Sequence, residues 1–358
     1  MKRILFLVHN LGLGDVLSFS PLFLLALRQD YAIDILYTTG DPELITQLIF
    51  KKELKSGKVQ LLKTLSEKSS YAIAILGDRR CIGTVLSLGS NIGILLPIPI
   101  QATRKRDIFL YNNLLKHLFT LRGMRHYPVT ANPGKSIRYI VFEEFCQVIG
   151  KKASYNDYLE DVQCRIFARP PFGSNHILVH LFRDLWYKRL SKDSLSILAR
   201  CLGEAYPDSV VNLLFNPLNE FEKEHAQYFA TACKQNGLKV SLISLSLKEI
   251  AASASSAKLY LGVDHGISHL ASLFCNNTMV IYGGSRKFSD IHLLWPPQVE
   301  GMMKIHSENI SYVRGKRTAV LLHPSSDQYL SHQKEDSKLI NSILTYDNVS
   351  SALKLVKK

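Results

Sequence analysis

Short apolar runs recur along this chain with helical patterns between them, and no other feature constrains the fold as strongly. "RILFLVH" leads into the glycine turn "NLGLGD", then the helical stretch "VLSFSPLFLLALRQ", then a second short apolar run, "IDILYT". Runs this short, bounded by turn residues, read as buried strands, and a helix between two of them returns the second parallel to the first. "YAIAILG" and "NIGILLPI" continue the alternation. The first half is therefore expected to be α/β, a parallel sheet covered on both faces.

Residues 151–176 turn polar and irregular through "KKASYNDYLEDVQ" and "ARPPFGSNH", which places a linker there. A second alternation follows: "HILVHLF", "SVVNLLF", "KVSLISL", "KLYLGV" and "TMVIYGG". At 358 residues the chain is long for one core, and division into two domains is expected. The expected architecture is two α/β domains, 1–165 and 166–358, with parallel sheets facing across a cleft that binds ligand. Beyond "LLWPPQ" the pattern weakens, and "SKLINSILTYDNVSSALKLVKK" closes as one or two helices. Asp347 reads as a helix start, and the last helix is expected to pack back on the first domain.

A formal net charge of +14 favours an anionic partner: a nucleotide, an acidic lipid surface or nucleic acid. There is no RNA-recognition, zinc-finger or basic-zipper pattern, so no specific nucleic acid is expected. The six cysteines, Cys81, Cys146, Cys164, Cys201, Cys233 and Cys275, form no C-x-x-C pair. That suits reduced, buried thiols in a cytoplasmic protein and argues against a zinc site. "MKRILFLVHNLGLGD" opens like a signal peptide, but His9 and Asn10 break its apolar run before any cleavage site. Other apolar stretches are interrupted too early to span a bilayer.

Four places carry candidate chemistry. In "NLGLGDVL", Gly12 and Gly14 permit a sharp turn that leaves amides facing a ligand. Asp15 then suits either a general base or a stabiliser of the helix start. After the strand ending near Phe182, the loop "RDLWYKRLS" carries Arg183, Lys188 and Arg189, cations able to neutralise a phosphate. In "NPLNEFEKEHAQ", Glu220 or Glu222 suits a sugar hydroxyl or a helix cap. The fourth place is "LGVDHGISHLASLF". There Gly266 lets the backbone approach a ligand, the amides that begin the helix suit a phosphate, and His269 can donate to the same group. Asp264 can orient that group or bind a hydroxyl. A dinucleotide loop is disfavoured, because Leu17 stands where its third glycine belongs. Asp34 and Asp41 also miss the end of the second strand, where the ribose-binding acid is expected.

"LGLGDVLSFSPLFLLALR", "SLKEIAASASSAKLYLGVDHGISHLASLF" and "VIYGGS" together resemble the heptosyltransferase-type family 9 glycosyltransferases, over most of the chain and in the right order. The most specific part is D-x-G-x-x-H-x-A, Asp264 to Ala271, joined with Gly14, Asp15 and Pro21; "LLWPP" and "ILTYDNVSSAL" are similar to the family's closing segments. The resemblance implies the GT-B fold, two Rossmann-like domains, with the acceptor bound by the first and the nucleotide-sugar donor by the second. It implies inverting sugar transfer with no metal and no cofactor, the nucleotide sugar being a substrate and ADP-heptose the first candidate.

The resemblance also implies residue roles. Asp15 matches the catalytic base, Lys188 the lysine at the donor phosphates, and Glu220 an acid contacting the nucleoside. Asp264, Gly266 and His269 match the donor sugar and diphosphate pocket. His265 stands in that pocket where the family carries threonine or a similarly small residue, which would change donor sugar contacts. "FRDLWYKRLS" replaces a more recognisable polar segment, leaving Arg183 and Arg189 as alternatives to Lys188. "NPLNE" lacks the glycine expected before the acid.

The implied acceptor is lipid-linked or a lipopolysaccharide core, at the cytoplasmic face of the inner membrane. "ATRKRDIFLYNNLLKHLFTLRGMRHY" supports peripheral attachment. As a helix it would set Phe109, Leu110, Leu114, Leu115 and Phe119 between Arg104, Lys105, Arg106, Lys116, Arg122 and Arg125. The alternatives are a non-catalytic GT-B protein that binds nucleotide or serves in assembly, and an NAD-dependent oxidoreductase.

Overall fold

The computed structural model describes residues 2–65, 70–77, 81–88, 93–98, 116–130, 137–170, 173–182, 189–263, 265–282, 303–306, 317–322 and 340–357. The chain divides into two compact units, Met1–Arg165 and Ile166–Lys358.

The first unit runs β1 (Lys2–Asn10), α1 (Leu13–Arg28), β2 (Tyr31–Thr39), α2 (Glu43–Lys55), β3 (Val59–Leu62), β4 (Ile73–Leu76), α3 (Ile82–Leu86), β5 (Gly93–Ile98), α4 (Lys116–Leu121), β6 (Arg125–Thr130), α5 (Ile137–Val148) and α6 (Tyr155–Ile166). Its sheet has the order β3-β2-β1-β4-β5-β6, and each neighbouring pair is parallel. Alternation along β1 serves two layers. Phe6 turns to α1, its ring 4.4 Å from Phe19 and 5.3 Å from Phe23. Leu5 and Leu7 join Tyr71, Leu76, Val85 and Phe119 in a second cluster. Each such buried ring or leucine contributes about 1.5–3 kcal/mol.

At the amino end of the sheet, Asp34 is buried and paired with Arg3. It also accepts the Tyr71 hydroxyl at 3.0 Å. Asp34 is thus a structural acid of β2, opposite Leu5 in register, and is not placed to hold a ribose.

The second unit runs β7 (His176–His180), α7 (Lys192–Ala205), β8 (Val210–Leu214), α8 (Glu220–Gln235), β9 (Lys239–Ile243), α9 (Leu247–Ser256), β10 (Leu259–Val263), α10 (Gly266–Phe274), β11 (Asn277–Tyr282), β12 (Met303–His306), β13 (Arg317–Leu322) and α11 (Tyr346–Lys357). Its sheet has the order β12-β13-β11-β10-β7-β8-β9. All pairs are parallel except β12 with β13. The edge strand β12 thus departs from the all-parallel sheet expected. A pair joined by a short connection can be antiparallel without a crossover helix.

Three expectations are revised. The polar segment 151–176 contains a helix, α6, which buries Tyr155, Leu159, Val162 and Ile166. These positions share one helical face. The Tyr155 hydroxyl donates to Ser18 O at 2.8 Å, and Arg165 pairs with Glu53 at 2.9 Å, so this helix belongs to the first unit.

The last helix, expected to return to the first domain, commits its apolar face to the second. Val349, Ala352, Leu353 and Val356 lie in the core built from β7, β8 and α7. Its first-turn cap is Thr345, whose hydroxyl accepts Asn348 N–H at 3.3 Å, two residues before the expected Asp347.

The basic, apolar segment from Ala102 is not one helix. Residues 102–115 lie outside the described residues. Of the rest, Phe119 is fully buried, α4 ends at Leu121, Gly123 has φ +70°, and the chain enters β6 at Arg125. Leu118 and Leu121 do face outward. Among the described residues no helix is long and apolar enough to cross a membrane.

Candidate functional site

In each sheet the strand order reverses beside the unit's first strand, and open α/β sheets bind ligands outside the carboxyl ends of the strands at such a point. In the first sheet the reversal lies between β1 and β4, so the turn after β1 is "NLGLGD". Leu11 N–H donates to Thr39 O at 3.0 Å, holding the turn to β2. Gly12 is extended, at φ −98° and ψ 174°, and α1 begins immediately after it. Asp15 Oδ2 accepts Gly12 N–H at 3.2 Å. With no side chain on Gly12, this is half of a capping box.

Gly14 is buried and Asp15 half-buried, so the carboxylate is fixed at the helix start and still reached by solvent. Gly40, which no sequence motif singles out, makes this possible. At φ +101° its added Cβ would lie 2.3 Å from Leu11 O and 2.9 Å from Asn10 Oδ1, so only glycine fits.

In the second sheet the reversal lies between β7 and β10. Its register sets His180, the last residue of β7, opposite Gly262, one residue before the end of β10. His265 is extended and caps α10, its Nδ1 accepting Ile267 N–H at 3.1 Å. An imidazole therefore takes the place of the usual capping hydroxyl. Because Nδ1 is the acceptor, the neutral ring carries its proton on Nε2. His265 O also accepts Ser268 N–H at 2.9 Å and His269 N–H at 3.3 Å. Two first-turn amides expected to meet a phosphate, those of Ile267 and Ser268, are thus bonded to His265.

The corner is held from below by hydroxyls. Ser268 Oγ donates to Val263 O at 2.5 Å and bonds the Tyr260 hydroxyl at 2.8 Å. Complete burial pushes the Tyr260 phenol upward, so it stays a neutral hydrogen-bonding group. A Cβ on Gly262 would lie 2.4 Å from Tyr260 Oη and 2.6 Å from Ser268 Oγ. His269 and His180 are buried, and the rings of His180 and His265 lie 5.1 Å apart. Gly266, His265, His269 and His180 are therefore brought to one corner. His180 was missed by the sequence reading, since only the β7–β10 pairing brings it there. Asp264, Lys188 and Arg183 lie outside the described residues.

The loop after β8 lies on the same carboxyl edge. Glu222 shapes it, its Oε2 accepting Asn216 N–H at 2.7 Å, while Asn219 Oδ1 caps Glu222 N–H at 3.2 Å. Glu220 faces solvent, 3.4 Å from Lys223, so of the two acids it is the one presented outward. The Arg189 guanidinium stacks 4.0 Å over the Phe221 ring, which itself lies 3.9 Å from His225. Among the described residues no group of three His, Cys, Asp or Glu side chains is placed to hold a metal ion.

No protein-family profile matches the chain, and no curated protein matches it in sequence. Solved structures do match in fold. The E. coli heptosyltransferase WaaC with ADP-2-deoxy-2-fluoro heptose aligns over 99% of both chains at 16% identity, with a TM-score of 0.57. The E. coli ADP-heptose lps heptosyltransferase II aligns over 100% of this chain and 98% of its own, at 13% identity and a TM-score of 0.51. A glycosyl transferase family 9 protein from Veillonella parvula DSM 2008 aligns over 99% and 97%, at 13% identity and 0.50. The chain has the α/β fold, with two Rossmann-like sheets, of these GT-B glycosyltransferases.

Proposed function

We propose that the chain is a glycosyltransferase that moves a sugar from a nucleotide donor to a lipopolysaccharide-core or other surface-glycan acceptor, with inversion and without a bound metal. One observation carries the reading: both sequence motifs fall at the carboxyl-edge reversal points of their sheets. One offers a carboxylate, Asp15, and the other a helix start ringed by His180, His265 and His269.

In this reading the Asp15 carboxylate takes the proton of the acceptor hydroxyl as its oxygen attacks the anomeric carbon. The bond to the diphosphate breaks on the opposite face, which inverts the centre, and the diphosphate leaves with the electron pair. The α10 corner with Lys188 stabilises that charge, Arg189 and Arg183 being the alternative cations. Asp264 and Gly266 receive the donor sugar and phosphate, and Glu220 the nucleoside. Likeness in fold to a heptosyltransferase solved with an ADP-heptose analogue supports ADP-heptose as donor. The outward Leu118 and Leu121 beside exposed Arg122 and Arg125 support peripheral contact with an anionic membrane from the cytoplasmic side. Failure to bind anionic vesicles at low salt would remove that part.

Calorimetry with ADP-heptose, UDP-sugars, GDP-sugars and NAD tests the donor reading. Selective binding of one nucleotide sugar, weakened by His269→Ala, is the expected result; binding of NAD alone would sink it. The bond from Gly12 N–H to Asp15 favours a second reading, a non-catalytic nucleotide-binding or assembly protein in which Asp15 only starts the helix. Under that reading Asp15→Asn changes no activity.

A further inference from the structure

Three histidines at strand or helix ends are held in three different ways. At the amino end of β7, His176 uses both ring nitrogens. Nδ1 lies 2.7 Å from Gly173 O, and Nε2 lies 3.1 Å from the Ser253 hydroxyl and 3.2 Å from Ser253 O. His265 spends Nδ1 as a helix cap.

His9, near the carboxyl end of β1, differs. Thr38 Oγ1 lies 2.7 Å from His9 Nδ1 and 2.6 Å from His9 O, and Thr39 Oγ1 donates to the same carbonyl at 3.1 Å. A carbonyl oxygen only accepts, and Thr38 has one hydroxyl proton. With that proton given to His9 O, Thr38 Oγ1 can only accept from Nδ1. The ring proton is therefore fixed on Nδ1, and the lone pair sits on Nε2 of a half-buried ring.

The ring stands near the carboxyl end of the strand that leads directly into the Gly12–Asp15 turn, held on the β2 side of that strand. We infer that His9 Nε2 is a contact of the first unit for a hydroxyl of the sugar acceptor. The inference rests on the reading of that unit as the acceptor unit. It also specifies chemistry: a lone pair attracts the O–H of a polyol and repels a carboxylate or phosphate oxygen, so the group met by His9 is a neutral hydroxyl.

Nitrogen NMR of the full chain tests this at about pH 8, where imidazoles are neutral, with the His9 signals assigned by their loss in His9→Gln. The expected spectrum has a protonated Nδ1 and an unprotonated Nε2, and Thr38→Val lets the two tautomers mix. A proton on Nε2 in the parent chain overturns the inference. Lipid-free lipopolysaccharide core oligosaccharide, added with ADP, should then move Nε2 and leave Nδ1 in place. In transfer assays His9→Gln should raise KM for that oligosaccharide about tenfold, the equivalent of one lost hydrogen bond, with kcat and the ADP-heptose KM nearly unchanged. Transfer that proceeds with Nε2 and KM unmoved overturns the His9 contact alone. Nucleotide binding with no glycan binding overturns the acceptor reading and the contact with it.

Discussion

His265 Nδ1 accepts the backbone N–H of Ile267 at 3.1 Å, so the residue expected to alter donor contacts is also the cap of the helix that carries His269. Asparagine and serine cap equally well, whereas alanine loses the bond. Thermal unfolding should show His265→Asn and His265→Ser close to the parent, and His265→Ala lower by about 1 kcal/mol. Of these, a change in nucleotide-sugar preference in the asparagine variant, with stability held, would assign the ring itself to the ligand.

Tyr260, Gly262 and Ser268 form one packed set, and the first two test it in different ways. Tyr260→Phe removes one partner of the Ser268 hydroxyl and should cost about 1 kcal/mol. Gly262→Ala drives a methyl group against Tyr260 Oη and Ser268 Oγ, with an expected cost of about 1–3 kcal/mol. The alanine variant should also bind nucleotide more weakly, because the start of α10 must shift. Unchanged calorimetric binding would separate this corner from the ligand.

Asparagine at position 15 keeps an oxygen for Gly12 N–H but no longer takes a proton. Asp15→Asn should therefore melt like the parent while transfer falls by about 10²–10⁴-fold. Asp15→Ala should lose the same activity and also about 1 kcal/mol of stability. Full turnover in Asp15→Asn would leave Asp15 as a helix start alone.

Burial pushes the Cys233 thiol up to about 12 and the Cys201 thiol up to about 11, with Glu204 adding to the second. The Tyr206 phenol is likewise pushed up by burial, to about 12. In the unfolded chain these groups ionise at their ordinary values, 9.0 for the thiols and 10.0 for the phenol. Above those values the unfolded chain has shed protons that the fold retains, so stability is present in full below about pH 9 and declines as pH rises toward 12. Urea melts across that range check the sign. Cys164, the exposed thiol, should be alkylated first in the folded protein.

Asp34 is paired with Arg3 and bonded to Tyr71 within β2. Asp34→Asn leaves a guanidinium beside a neutral amide in a mostly buried position, a change that costs about 3 kcal/mol. NAD affinity should be absent in both parent and variant. NAD binding lost on this substitution would reinstate Asp34 as a ribose contact.

Where apolar residues carried the period, the sequence was enough: β4, β5, β7, β8, β9 and β10 lie within runs readable as strands, and β1, β2 and β11 extend only one or two residues beyond theirs. β6 was not, because "RHYPVT" mixes charge with a proline. A proline cannot donate to a ladder and fits at the sheet's edge, where β6 lies. The α6 face was hidden by the acids and amides between Tyr155, Leu159, Val162 and Ile166. At the sites, the Gly12–Asp15 turn and the start of α10 were legible because each is contiguous. Gly40, His9 with Thr38, and His180 were not, because strand pairing assembles them from separate parts of the chain.

Val349, Leu353 and Val356 of the last helix lie in one cluster with Ile177 of β7 and Leu198 of α7, residues that leave the ribosome far earlier. The second unit cannot close its core until residues 340–357 have been made. The first unit, finished by Arg165, has by then been free to fold for about ten seconds or more at ordinary rates of synthesis. The acidic turn is thus ready well before the histidine corner, and a chain stalled late in translation would display a finished first half beside an open apolar sheet.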